Sequence, residues 1–78
     1  MSKIEEELRM EIARWLPKAK KELKKIKKVH DEDFLVNINA YIKDTTYFLE
    51  QGDLVKSFEA VVWAWSWIEI GKQKGMIE

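Results

Sequence analysis

Tyr41, Asp44 and Glu59 are a phenol and two carboxylates. Gathered in a pocket, they would be candidates for general acid–base work, which needs positioned groups with shifted pKa values. Asp44 lies three residues after Tyr41 and three before Tyr47, so on a helix it can pair with either phenol. His30-Asp31-Glu32-Asp33 carries metal-ligand atoms in a row. Consecutive side chains point in different directions, however, and the chain has no Cys and no second His, which leaves the set incomplete for a closed or catalytic metal site. A helix cap followed by an acidic first turn explains the same letters. We therefore expect no metal, no cofactor and no catalytic residue, with Tyr41, Asp44 and Glu59 kept as a candidate polar site.

Two larger groupings point to binding instead. Lys18, Lys20, Lys21, Lys24, Lys25, Lys27 and Lys28 surround a narrow apolar strip of Ala19, Leu23 and Ile26. Such a face could track phosphates, with affinity falling steeply as salt rises, for instance on an RNA inside a larger particle. The run holds no arginine for bidentate recognition and no aromatic ring for stacking. A solvated helix face suited to the C-terminal dipole accounts for it equally. The second grouping is aromatic: four tryptophans in 78 residues, enough to dominate either a core or an interface. Trp15 and Trp65 are expected in the core, and Trp63, Trp67 and Ile70 on a candidate protein interface.

Positioning any of these groups requires a fold, and composition narrows the choice. At 78 residues the chain allows one domain, 1–78. Without cysteine it has no disulfide or thiolate zinc to staple it, so helix packing or self-association must stabilise it. Three Gly and one Pro are too few for a turn-rich all-β protein. The longest apolar run, Ala60 to Trp65, is too short to span a bilayer, and the acidic start Glu5-Glu6-Glu7 does not resemble a signal peptide. These features predict a cytoplasmic protein with no membrane partner. A formal net charge of zero conceals segregation: Arg14 to Lys28 holds eight cations against one acid, Glu22, while Asp31 to Glu59 holds seven acids against Lys43 and Lys56. The Lys- and Glu-rich composition is thermophile-like.

Hydrophobic periodicity supplies the elements. Ile4, Leu8, Ile12, Trp15, Leu16, Ala19, Leu23, Ile26 and His30 fall within an arc of about 120° on a helical wheel. They predict a long first helix, 3–29, bent near Pro17, whose missing N–H leaves the Ala13 carbonyl without its partner. Ser2 and Glu5 have capping-box spacing. Asp31 is the expected N-cap of a second helix, 32–51, lined by Phe34, Ile38, Tyr41, Ile42, Thr45, Phe48 and Leu49. Gly52 then takes the left-handed C′ position, and Asp53 caps a third helix, 54–74. The alternating tryptophans of Val61–Ile68 could form a strand in isolation, but no second strand-like segment exists to pair with it. As a helix the segment is apolar on nearly every side, with Phe58, Val61, Val62, Trp65 and Ile68 on one face. Such a helix is either nearly enclosed or expects a partner chain.

From Tyr41 to Gly75 a more specific pattern emerges: Tyr41-x-x-Asp44, Phe48-Leu49, Gly52-Asp53, Phe58-Glu59-Ala60-Val61, Ala64-Trp65, Trp67 and Gly71. It resembles a family of short archaeal helical proteins catalogued only as a domain of unknown function. Leu54, Ser57 and Ser66 depart modestly from that family's pattern, and the lysine-rich first helix lies outside the resemblance. The resemblance implies a compact helical bundle and no established activity or catalytic residue.

The expected architecture is all-α, a three-helix antiparallel bundle. The expected function is a non-enzymatic interaction module whose third helix meets a second copy of the chain (a homodimer) or another protein. The alternative is an accessory RNA-binding protein using Lys20, Lys21, Lys24, Lys25, Lys27 and Lys28.

Overall fold

The computed structural model describes residues 2–78. Three helices follow one another: α1, Lys3–Lys24; α2, Glu32–Glu50; and α3, Leu54–Gln73. Each N-terminus is closed by the side chain the sequence offers. Ser2 Oγ accepts from the Glu5 amide at 3.1 Å, Asp31 Oδ1 from Asp33 at 2.9 Å, and Asp53 Oδ1 from Lys56 at 3.1 Å, each satisfying an amide that has no intrahelical acceptor. The ends of α2 and α3 are Schellman turns on glycines with φ of 78° and 70°. Asp53 N–H donates to the Phe48 carbonyl at 2.9 Å and Gly52 N–H to Leu49 at 3.1 Å; Met76 N–H donates to Gly71 at 2.8 Å and Gly75 N–H to Lys72 at 3.2 Å. This is the paired 6→1 and 5→2 pattern that left-handed glycine permits.

The first helix ends earlier than its periodicity predicts. It runs through Pro17 without a break but stops at Lys24, and residues 25–29 leave the helix. The cause is distant in sequence. Lys28 N–H donates to the Glu78 carbonyl and Glu78 N–H returns a bond to Lys28, at 3.0 and 2.8 Å. His30 N–H reaches the Met76 carbonyl at 2.8 Å, and Val29 and Ile77 form an antiparallel bridge. Backbone groups that a longer helix would have bonded internally are satisfied across this clasp. Ile26 and Val29 still pack against the core, so the apolar stripe correctly marks burial while overstating helix length.

Helices adjacent in sequence run antiparallel, which leaves α1 and α3 parallel. Trp65 Nε1 donates to the Trp15 carbonyl at 3.1 Å, and Lys72 meets Glu22 one end further on. α3 packs against both other helices, which scarcely touch each other. It buries seven residues, against two from α1 and three from α2, so the most apolar segment is also the central one. Ser57, Ala60, Ala64 and Gly71 keep its buried face narrow, and narrow side chains allow close helix approach. Buried Ser57 donates to the buried Thr45 carbonyl of α2 at 2.7 Å, so the serine meets its hydrogen-bonding need without water.

Parallel α1 and α3 also bring like helix ends together. The C-termini of both helices and the N-terminus of α2 share one end of the bundle. Lys21 and Lys24 occupy the last turn of α1 and Lys72 that of α3, while Glu32 and Asp33 occupy the first turn of α2. Each sign lies where the helix dipole favours it.

Candidate interaction surface on the third helix

Helical geometry turns one side of α3 away from both neighbours. Val62, Trp63 and Ile70 lie there with 45, 54 and 43% of their surfaces exposed. Trp63 and Ile70 are seven residues apart, two helical turns, and therefore stand on the same side. Trp63 is held in place from below: its ring stacks on Tyr41 of α2, centroids 6.3 Å apart and planes inclined by 21°. An aromatic ring fixed in this way loses little side-chain entropy when it is covered.

Trp67 sits differently from Trp63 and Ile70. It is half-buried and packs on Phe34 at 4.9 Å and on Tyr41 at 6.3 Å, so it supports the surface without forming it. Trp15 and Trp65 meet edge to face, 5.7 Å apart at 82°. Trp15 Nε1 donates to Glu11 at 2.8 Å, and Lys18 Nζ lies 5.0 Å from the Trp15 ring centre, within cation–π range. Beside Val62, an open groove of about 280 Å³ is lined by Trp15, Phe58, Val61, Trp65, Ser66 and Glu69. Val62, which the sequence places on one face with Phe58, Val61, Trp65 and Ile68, stands at the rim of this groove.

The other candidate residues lie in different settings. Tyr41 lies under Trp63 and Trp67, while Asp44 and Glu59 are exposed. Among the described residues no side-chain hydrogen bond links the three. Asp31 is the α2 cap, and His30 Nε2 lies 2.5 Å from Glu78 Oε2 at the clasp. Among the described residues, no three His, Cys, Asp or Glu side chains are grouped to hold a metal ion.

The lysines do not form one helical face. Lys20, Lys21 and Lys24 are exposed on α1, whereas Lys25, Lys27 and Lys28 lie beyond its last residue. Glu22 interrupts the cluster. Its carboxylate meets Lys72 Nζ at 2.6 Å and Lys25 Nζ at 3.3 Å. The hydrogen bond from Lys72, followed by that from Lys25, holds the Glu22 pKa below the ordinary carboxylate value. Because folding lowers this pKa, the stabilisation is complete above the unfolded-state value and is lost as pH falls through the folded-state value. Glu22→Gln should therefore flatten the acid limb of melting temperature against pH. Added salt should narrow the difference, since the pair is open to solvent. An unchanged acid limb would contradict this assignment.

The described residues contain no helix long and apolar enough to cross a membrane. Compared with known proteins, residues 6–77 match the family model described as a protein of unknown function, DUF357. A crystal structure of a protein from Archaeoglobus fulgidus, assigned to the same family model, superposes with a TM-score of 0.90 at 52% identity and covers 96% of each chain. Comparison with curated proteins finds no match.

Proposed function

The chain belongs to the DUF357 family of proteins of unknown function, and we propose that it is a non-enzymatic protein-interaction module whose contact surface is the outer face of α3. The observation that carries this reading is the exposure of Val62, Trp63 and Ile70 together on the helix that also supplies most of the core. An isolated exposed apolar residue needs no explanation, whereas a grouped set rimmed by Glu59 and Glu69 has the composition of a binding patch. Tyr41 and Trp67 brace it from beneath. The Tyr41 ring is taken up in the stack with Trp63 and Trp67 and shares no side-chain hydrogen bond with Asp44 or Glu59 among the described residues, which supports binding over chemistry, because acid–base work needs such groups positioned around one substrate.

RNA binding through the α1 lysines is the competing reading, and paired variants separate the two. Trp63→Ser with Ile70→Ser should abolish protein association and leave RNA retention unchanged. Lys21→Glu, Lys24→Glu and Lys28→Glu together should leave protein association intact. Association that survives the first set and is lost with the second would overturn the proposal, and RNA retention falling steeply with salt would support its competitor.

A further inference from the structure

We propose that the partner is a second copy of this chain, and that two α3 helices pack antiparallel about a two-fold axis between Ser66 and Trp67. This rests on the interaction reading of the α3 face and adds the occupant and its register. Trp63 and Ile70 lie 3.5 residues on either side of that axis, on the same side of the helix. An antiparallel copy therefore sets Trp63 against Ile70 of the second copy, and Ile70 against the second Trp63. Both large side chains of the patch are covered by one symmetric contact, as an isologous interface requires.

Small residues and charges favour the same register. Half-buried Ser66 lies midway between exposed Trp63 and Ile70, and its hydroxyl is already bonded to the Val62 carbonyl at 3.0 Å. It leaves a shallow site between Trp63 and Ile70, and bulky knobs need such holes on the facing helix. Glu59 lies one turn before Trp63, and Lys74, the α3 C-cap, one turn after Ile70. In the antiparallel register, Glu59 faces Lys74 of the second copy at both ends. A parallel pair would instead bring the two Glu59 carboxylates together, and like charges across an interface disfavour that arrangement. Glu69 lies at the groove side and meets no second carboxylate in the antiparallel pair. One helix face is a small contact, so a concentration-dependent dimer is expected rather than an obligate one.

The test is sedimentation equilibrium of the intact chain from micromolar to millimolar concentration. Association should fit monomer and dimer only, and Trp63→Ser should weaken it by about thirtyfold or more, the scale of a buried aromatic anchor. Glu59→Lys and Lys74→Glu should each weaken the dimer, and the double exchange should restore it. As a geometric check, Ser66→Cys gives the chain a single thiol, and added oxidant should join the dimer through it. Val36→Cys, exposed on α2, should not crosslink. A chain that stays monomeric yet captures another protein in a Trp63-dependent way would overturn the second-copy inference alone. A dimer indifferent to Trp63→Ser would overturn both this inference and the interaction reading of the face.

Discussion

Ile68→Ala should lower the unfolding free energy by about 3 kcal/mol, within the range for buried isoleucine truncations. Ile70→Ala, two residues on, should change it by less than about 0.5 kcal/mol at concentrations where the chain is monomeric. Ile68 is 1% exposed and packs in the core cluster with Ile38, Ile42 and Ala64, while Ile70 is open to solvent. The contrast tests the secondary structure of the tryptophan-rich segment as well as its packing. Residues two apart lie on one face of a strand but about 200° apart around a helix, so a strand would give the two truncations similar costs. Chemical denaturation of both variants in dilute solution measures the difference. Equal losses would contradict the placement of α3.

A second large effect is expected where residues 76–78 return to the bundle. Ile77 is fully buried. Its side chain fills the space beside Gly71, where an added Cβ would lie 3.0 Å from Ile77 Cγ1 and 3.1 Å from Phe34 Cδ1. Ile77→Ala should cost about 2–3 kcal/mol, equivalent to a fall in melting temperature of roughly 10–20 °C for a domain of this size. Gly71→Val should act on the same contact from the other side, since the new methyls have no room while Ile77 is seated. Both variants should release the amides of Lys28 and His30 to hydrogen exchange before the α2 and α3 core opens, because those amides bond to Glu78 and Met76. Retained protection at Lys28 and His30 in Ile77→Ala would contradict the clasp.

What could be read directly from the residues follows from how local the governing interactions are. The caps at Ser2, Asp31 and Asp53 and the glycine turn at Gly52 act within a few residues of themselves, and the structure places each of them where its letters predict. The helical state of Val61–Ile68 needed one further argument, the lack of a pairing strand, together with the resemblance extending to Gly75. The end of α1 was not legible. Ile26 continues the helical stripe, and only the pairing of residues 27–31 with 76–78 reveals that the chain is extended there. Ile4 fails for a related reason: it is in phase with the buried stripe, yet it is largely exposed in the first turn, where only an open hollow beside Gly52–Val55 receives it.

The surface of α3 was partly legible. The sequence groups Trp63, Trp67 and Ile70 as a candidate interface, and Trp63 and Ile70 are exposed. It could not separate Trp67 from them, because that side chain is covered by Phe34 and Tyr41 from α2, and the angle at which α2 crosses α3 is not written in the α3 sequence. The lysines show the converse. Their density suggested one continuous face, whereas the early end of α1 divides them and Glu22 binds across to Lys72. Their clustering near the α1 C-terminus suits that helix's dipole, and the parallel arrangement of α1 and α3 adds Lys72 at the same end.

The most direct measurement of the central claim is the set of four tryptophan indole N–H resonances, followed by NMR as the protein concentration rises. The account predicts that the Trp63 signal shifts and broadens together with the amides around Ser66 and Ile70. The Trp65 indole, bonded to the Trp15 carbonyl inside the bundle, should stay in place. A Trp63 resonance indifferent to concentration, with changes appearing at Lys21, Lys24 and Lys28 instead, would contradict it.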